Sequence, residues 1–222
     1  MALVTWNVNS LKVRLAHLQS LLEVHAPSIV CLQETKTEDQ TFPKEDIERL
    51  GYSVIYHGQK AYNGVAILSL EKMSDVHYGI PNFQDAQARV IAATSAEGVR
   101  VINVYVPNGD SAESEKFQYK LNWLRAFVDY ARQEVKSYSS LAILGDFNIA
   151  PKENDVYDAE AFREKVLCTA QERDLFQELL SLDLHDSLDG FLDENDRFTW
   201  WDYRMNAFRR KLGLRIDHIL MS

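Results

Sequence analysis

Apolar residues in this chain follow two different periods. In some segments they recur at every third or fourth position, which is the spacing of one face of a helix. The longest such segment carries Phe117, Leu121, Leu124 and Phe127. This period predicts helices over residues 11–22, 42–50, 113–136 and 170–181, the first of them capped by Ser10.

Elsewhere the apolar residues stand next to one another in short runs, which is typical of buried strands. Some of these runs are separated by turn sequences such as Asn63-Gly64 and Glu97-Gly98, which favours hairpins. Strands are predicted over residues 3–8, 28–32, 52–56, 65–69, 89–94, 99–106, 141–144, 198–202 and 214–220. Helices mixed with strands that pair partly in hairpins predict an α/β protein with mixed sheets.

The composition, 46% hydrophobic and 26% charged over 222 residues, is that of an ordinary globular protein with enough apolar chain for a core. There is no run of about 18 apolar residues, so no membrane helix is expected. The first residues lack the basic start and apolar run of a secretory signal, which predicts a cytoplasmic protein. Cys31 and Cys168 give neither a disulfide framework nor a zinc-ligand spacing.

Charge is segregated near the end of the chain. The net charge of −9 argues against a protein that binds nucleic acid through bulk positive charge. However, residues 186–196 hold five acids and no base, whereas residues 204–215 hold five bases and no acid. The basic segment is therefore either a solvated loop or a local contact surface for an anionic partner.

Four of the predicted strands end in polar side chains. These are Asn7 and Asn9, Gln33 and Glu34, Tyr105 and Asn108, and Asp146 and Asn148. A side chain that follows a buried strand is held by a rigid element while its polar end reaches a cleft. Oxygen donors without clustered His or Cys suit a hard ion such as Mg²⁺ or Mn²⁺ rather than zinc, with a phosphate ester as a further ligand.

Each of these residues also has an ordinary structural explanation. Glu34 could cap or solvate a loop. Asp146 and Asn148 could form a turn, and Tyr105 could be a packed tyrosine with a satisfied hydroxyl. Asn7 alone indicates almost nothing. The recurrence of polar ends on four strands nevertheless favours a shared site.

Five segments, in their order along the chain, resemble the exonuclease III-like abasic-site endonucleases of the endonuclease/exonuclease/phosphatase superfamily. They are WNVNSLKVR, CLQETK, VYVPNG, LGDFNIAP and FTWWDYR…GLRIDH. The LQET and GDxN motifs are highly specific for the superfamily, and the Trp-rich segment with GLRID narrows the resemblance to the DNA-repair branch. The resemblance implies a four-layer αββα sandwich, in which two mixed β-sheets lie face to face and are flanked by helices.

The resemblance also implies roles for the polar strand ends. Asn7, Glu34, Asp146 and Asn148 would form the metal site, with Mg²⁺ as the expected ion and Mn²⁺ as an alternative. Tyr105 would hydrogen-bond the scissile phosphate or assist the leaving group. Asp146 would orient and deprotonate the attacking water, and Asn148 would position that acid and the phosphate.

The implied substrate is double-stranded DNA, cut by a monomeric enzyme on the 5′ side of abasic sites and trimmed at damaged or ordinary 3′ ends. Trp200, with the tryptophan after it, would form an apolar wall for the flipped-out sugar, although core tryptophans would give the same pattern. Arg89, Asn108 and Arg215 would contact phosphates or the groove.

The pair Asp217-His218 has only adjacency in common with a catalytic dyad. Asp217 would hold a histidine from further along the chain, and strand alternation then turns His218 away, as a structural or exposed residue. The family's catalytic histidine belongs to a Ser-Asp-His-Ala-Pro motif, which these residues do not contain. We therefore expect residues 1–222 to form a single domain truncated at its C-terminus, weakly active or inactive, and poorly soluble because a sheet edge is exposed.

Three functions fit these residues. The first is a Mg²⁺-dependent DNA-repair nuclease, and the second is a catalytically impaired form that binds DNA without cutting it. The third applies the superfamily chemistry to another phosphodiester, such as RNA or a phospholipid head group. The motifs of the DNA-repair branch favour the first.

Overall fold

The first sheet of the structure contains β1 (Leu3–Asn7), β2 (Ile29–Gln33), β3 (Ser53–His57) and β4 (Val65–Ser69). Their order is β1-β2-β4-β3, with β1 parallel to β2 and β4 antiparallel to both of its neighbours. All four strands agree with the predicted strands to within one residue. In this computed structural model, which describes residues 1–189 and 197–222, the contacts divide the chain into two units.

Unit 1 comprises residues 1–105 and 138–146, and unit 2 comprises residues 106–137 and 147–222. The class is mixed α/β with two large mixed sheets flanked by helices, as predicted. Most of the acid-rich segment 186–196 lies outside the described residues.

Two helices of unit 1 accompany the first sheet: α1 (Leu11–His25) and the short α2 (Lys44–Glu48). The prediction that Ser10 caps α1 is wrong, because its φ is +92° and its side chain makes no capping hydrogen bond. Instead, the backbone N–H groups of Ser10 and Leu11 donate to the carbonyl oxygens of Glu34 and Thr35. The loops that follow β1 and β2 are thereby joined.

A second set of strands in unit 1 runs in the order β5-β6-β7-β8: β5 (Ser74–Tyr78), β6 (Val90–Thr94), β7 (Arg100–Tyr105) and β8 (Leu141–Asp146). The pairing of β7 with β8 is parallel and sets Tyr105 opposite Asp146. A Cβ on Gly145 would lie 1.8 Å from the carbonyl oxygen of Val104, so only glycine lets this pairing continue to the end of β8.

Unit 2 contains the long helix α3 (Glu115–Ser137), the single turn α4 (Ala159–Phe162) and α5 (Ala170–Leu180), and α3 packs against α5. Its short strands form two antiparallel pairs, β9 (His185–Asp186) with β12 (Asp217–Met221) and β10 (Trp200–Trp201) with β11 (Gly213–Leu214). The strand predicted over residues 214–220 is therefore divided between β11 and β12.

Both cysteines, Cys31 and Cys168, are buried and free. No helix in the described part of the chain combines the length and the apolar character needed to cross a bilayer.

Candidate active site

Four polar side chains at four strand ends of unit 1 form one hydrogen-bonded group, termed the carboxylate cluster: Asn7, Glu34, Tyr105 and Asp146. The Asn7 Nδ2 donates to Glu34 Oε1 at 2.9 Å and to Asp146 Oδ2 at 2.8 Å. The Tyr105 hydroxyl donates to the same Glu34 oxygen at 2.8 Å. The structure thus brings these four predicted side chains together, although up to 139 positions separate them in sequence.

Lys36 contacts the cluster but was not singled out from the sequence. Its Nζ lies 2.8 Å from Glu34 Oε2 and 2.5 Å from Asn9 Oδ1. Lys36 is part of CLQETK, so the motif contained the signal. A lysine two positions from an acid is nevertheless hard to distinguish from an ordinary surface pair without the geometry.

The electrostatics of the cluster keep Glu34 ionised. Burial alone would raise the pKa of Glu34, but hydrogen bonds from Asn7, Lys36 and Tyr105 outweigh it and lower that pKa below its ordinary value. Glu34 is therefore a carboxylate at neutral pH, as a ligand of a cation must be.

Tyr105 has the opposite shift. Burial, followed by the nearby Glu34 and Asp146 carboxylates, raises the pKa of Tyr105 well above its ordinary value, and the Arg89 guanidinium offsets this only partly. The phenol therefore keeps its proton at neutral pH and acts as a hydrogen-bond donor rather than as a base.

The backbone around Glu34 is strained. Glu34 and Lys36 both have φ of +51°, in the left-handed region that such residues seldom adopt. The conformation is fixed by hydrogen bonds from the N–H groups of Thr35 and Lys36 to the carbonyls of Gly64 and Asn63. A Cβ on Gly64 would lie 2.2 Å from Thr35 Oγ1, so this close approach needs glycine.

Arg89, predicted to contact DNA, is buried against the tyrosine. Its guanidinium carbon lies 4.8 Å from the centre of the Tyr105 ring, and its Nη1 donates to the Tyr105 carbonyl at 3.2 Å. Its Nε and Nη2 donate to Gln87 Oε1, which also accepts from Asn63. Arg89 therefore supports Tyr105, with Gln87 as a partner that the sequence did not reveal, and a contact of Arg89 with DNA stays a prediction.

The donor set of the carboxylate cluster fits a hard divalent ion. Two carboxylates accept from one amide nitrogen, so their oxygens lie within two hydrogen-bond lengths of each other. Within residues 1–189 and 197–222, no group of three or more His, Cys, Asp or Glu side chains could hold a metal. Magnesium usually takes only one or two carboxylates together with water and substrate oxygens, so a sparse site of this kind suits it.

In unit 2, Asn148 is held by both ends of its carboxamide. Its Nδ2 donates to the Val106 carbonyl at 3.0 Å, and its Oδ1 accepts from Asn108 Nδ2 at 3.0 Å. The backbone of Asn148 also adopts the left-handed region, with φ of +49°. The two predicted residues Asn108 and Asn148 are thus in direct contact.

Arg215 is buried within unit 2 rather than exposed to a partner. Its side chain is 1% exposed and donates to Asp155 Oδ1 at 2.7 Å and to Asp186 Oδ2 at 2.6 Å. Arg215, Asp155, Asp186 and the neighbouring His218 are termed the arginine network. A guanidinium that is sealed and shared between two buried carboxylates cannot reach DNA, so the predicted contact of Arg215 is wrong.

Asp217 and His218 face opposite sides of β12, as strand alternation predicts. Asp217 is partly exposed, and its backbone N–H donates to Thr199 Oγ1 at 3.2 Å. His218 is buried, its Nε2 lies 2.9 Å from the Ile149 carbonyl oxygen, and its ring packs against Phe147 and Phe176. The interpretation of His218 as a structural residue is confirmed.

The aromatic and basic segment of unit 2 is exposed. Trp200 is 38% exposed, more than a core tryptophan would be, whereas Trp201 packs edge-on against Phe208 at 5.0 Å. Around them, the exposed side chains include Tyr203, Arg204, Met205, Phe208, Arg209, Arg210 and Lys211. This surface combines exposed apolar side chains with cationic ones, a combination that is typical of a binding surface.

Comparison with known proteins places these features in a family. The family model described as "Endonuclease/Exonuclease/phosphatase family" matches residues 4–222. The chain belongs to the endonuclease/exonuclease/phosphatase family. Members of this family generally depend on a divalent metal ion.

Three relatives illustrate the membership of the chain in the endonuclease/exonuclease/phosphatase family. Exodeoxyribonuclease III of Haemophilus influenzae is 36% identical over 234 aligned residues, which cover all of this chain and 88% of that protein. The 3′ phosphatase NExo from Neisseria, solved with a product DNA hairpin, is 49% identical with a TM-score of 0.97, covering 100% and 86% of the two chains. An AP endonuclease from Archaeoglobus fulgidus is 38% identical with a TM-score of 0.91, covering 98% and 85%.

Proposed function

We propose that this chain is a Mg²⁺-dependent DNA-repair phosphodiesterase of exonuclease III type, which incises duplex DNA 5′ to abasic sites and trims 3′ ends. The carboxylate cluster is the observation that carries the proposal, because two acids from distant strands share one amide donor beside a protonated tyrosine. Relatives named exodeoxyribonuclease and AP endonuclease support the substrate class. The family match covers both units, so we treat them as one family domain.

Glu34 and Asp146 would hold the metal ion, with Asn7 as a further member of the site, and Asn148 would position the phosphate. When bound, the ion supplies positive charge that offsets the charge of the phosphate during in-line attack by water. In this structure the amide nitrogen of Asn7 donates a hydrogen bond to each of the two acids, and its Oδ1 accepts from the Asn9 N–H at 3.0 Å. Its first role is therefore to hold the two carboxylates at a common point.

Asp146 would act as the base that accepts a proton from the attacking water. It ends β8 in a pairing that only Gly145 permits, so its carboxylate is set by a rigid strand. The hydrogen bond from Asn7 orients it further. A base fixed in this way accelerates reaction through position as well as proton transfer.

Tyr105 would donate its hydroxyl proton as a hydrogen bond to a phosphate oxygen or to the leaving group. Its raised pKa supports this role, because the phenol stays protonated at neutral pH. Arg89 stacks on the ring and donates to the Tyr105 carbonyl, which holds the phenol in one orientation.

Trp200 and the exposed basic segment would receive the DNA. The exposed indole offers an apolar wall on which a base-free sugar can pack, and the arginines can contact phosphates. Extrusion of such a sugar costs little, because it breaks no base pair. Asp217 would support the catalytic set from its partly exposed place on β12.

Action at 3′ termini is a second candidate activity, because the relative at 49% identity is named a 3′ phosphatase. The two activities share one phosphate chemistry and differ in how the DNA is presented. We therefore propose that both occur at the carboxylate cluster.

Gel assays on three labelled duplexes test the proposal: one abasic analogue, a 3′-phosphate end and an undamaged 3′ end, each with Mg²⁺ or with EDTA. Metal-dependent cutting of the abasic duplex is expected, at the low rate that the sequence predicts. A gel shift without cutting under all conditions would favour the DNA-binding alternative. Neither a shift nor cutting, combined with hydrolysis of an RNA duplex or a phosphodiester lipid, would overturn the assignment to DNA.

A further inference from the structure

We infer that Lys120, paired with Glu172, is a positioning residue that holds the loop of Asn148 in its working conformation. The inference depends on the proposed function, in which Asn148 positions the reacting phosphate. Lys120 lies on α3 and Glu172 on α5, and neither side chain belongs to the candidate site itself.

The ammonium group of Lys120 has at least three acceptors among the described residues. Its Nζ pairs with Glu172 Oε1 and donates to the carbonyl oxygens of Asn148 at 2.6 Å and of Asn108 at 3.1 Å. Both side chains of the ion pair are fully buried. One cation therefore connects the two loops whose carboxamides contact each other.

Glu172 is fixed independently of Lys120. Its Oε2 accepts from the backbone N–H and the hydroxyl of Thr169, at 3.0 and 2.7 Å, in a capping box at the start of α5. Its Oε1 also accepts from the Leu167 N–H at 3.1 Å. The carboxylate is thus anchored to the helix start, and the ammonium group that it binds is anchored in turn.

The loops need such an anchor because their backbones are unusual. Asn148 has φ of +49°, and Gly109 has φ of +101°. A Cβ on Gly109 would lie 3.1 Å from the Lys120 Cδ, so the loop lies flat on the lysine stem. Residues held in sparsely populated conformations persist only when their surroundings over-determine them.

Stability alone accounts poorly for a charged pair in this position. Apolar side chains of similar volume often replace a buried ion pair without loss of stability. Such side chains could not satisfy the carbonyls of Asn108 and Asn148, and unpaired buried carbonyls would turn toward other partners. The pair is therefore explained by what it does for the two loops.

The decisive variant is Lys120→Met/Glu172→Gln, which removes both charges, keeps the side-chain volumes and leaves an amide oxygen for the capping box. We expect kcat for abasic incision to fall about 10- to 100-fold while KM stays within about threefold, since small displacements of a positioning group act on the chemical step. Arg100→Met is the matched control, because it removes a buried cation whose partners include Asp75 and Tyr138. It should leave kcat unchanged at temperatures well below unfolding.

A second readout does not depend on activity. In protein labelled with ¹⁵N at asparagine side chains, the carboxamide signals of Asn108 and Asn148 should shift in the double variant and stay in place in Arg100→Met. If the double variant does not fold, Lys120→Arg decides, because it keeps a cation beside Glu172 but replaces the single ammonium group that contacts both carbonyls, with the same signals shifted and a smaller loss of kcat. Unshifted carboxamides with unchanged kcat in an active parent would overturn the inference, whereas a parent with no detectable metal-dependent cutting at any enzyme concentration would overturn the proposed function instead.

Discussion

The carboxylate cluster of unit 1 and the arginine network of unit 2 both gather acids from distant parts of the chain, but only the first includes a partly exposed acid. Asp146 is buried, yet the Glu34 side chain is 19% exposed, whereas the side chains of Asp155, Asp186 and Arg215 are at most 2% exposed. In the network the cation is part of the protein, and its guanidinium is shared between two carboxylates.

This difference shows how a metal-binding site can be distinguished from a structural ion pair. Acids that are buried with a built-in arginine already have their counter-charge and have no need of a ligand. Glu34 is a partly exposed acid at a strand end, held by an amide and a phenol, and can receive a divalent ion together with Asp146. Lys36, on the open side, is a cation that a bound metal must tolerate or displace.

Asp146→Asn should give the largest effect. It keeps the shape of the side chain and removes the base, so the single-turnover rate of abasic incision should fall about 10²- to 10⁴-fold. The exposed Asp189→Asn, which loses only a surface contact with Lys152, is the control and should keep its rate. A rate for Asp146→Asn within threefold of the parent would remove Asp146 from the proposed chemistry.

Asp186→Ala should act on stability. It leaves Arg215 with one carboxylate fewer in a sealed site, so the free energy of unfolding should fall by about 3–5 kcal/mol in urea titrations. Burial alone would raise the pKa of Asp186, but His218 and Arg215 lower it far below its ordinary value of 3.8.

A carboxyl whose pKa is lower in the folded state stabilises the protein fully at pH values above its unfolded-state pKa. This stabilisation is lost as the pH falls through the folded-state pKa. The free energy of unfolding of the parent should therefore drop as the pH falls below about 3.8, toward the lower folded-state pKa of Asp186. The drop should be smaller in Asp186→Ala, which lacks this carboxyl. Equal stability of parent and variant at neutral pH would mean that the network is not structural.

Trp200→Ala should give a smaller and selective effect. Loss of the apolar wall against which the base-free sugar packs weakens binding of that sugar by about 1–3 kcal/mol, so abasic incision should fall roughly 5- to 100-fold while removal of a 3′-phosphate changes less. The thermal unfolding temperature should stay close to that of the parent, since the indole is 38% exposed. Equal losses in both activities, with a lowered unfolding temperature, would make Trp200 a core residue.

Much of the fold could be predicted because apolar runs and turn residues are local signals. The strands β1 to β4 and the hairpin of β6 and β7 agree closely with the predicted segments. β5 escaped prediction because its sequence SDVHY is mostly exposed and carries no apolar run. β9 has only two residues, too few for any period to appear.

The carboxylate cluster could be anticipated because each member lies at the end of a recognisable strand within a specific motif. The error over Arg215 has a different origin, since its partners Asp155 and Asp186 lie 60 and 29 positions away in sequence. Burial of a charge is a property of the folded chain, so a basic residue beside a basic segment resembles a DNA contact until its partners are known. Lys120 was hidden for the same reason, inside the apolar face of α3.

The most direct test of the central claim is the dependence of the abasic-incision rate on Mg²⁺ concentration in the parent and in Glu34→Gln. The variant keeps the size of the side chain but weakens the proposed metal ligand. We predict a saturating curve for the parent and, for the variant, a lower maximum with at least about tenfold more Mg²⁺ needed for half of it. Superimposable curves would contradict the account, because Glu34 would then have no part in holding the ion.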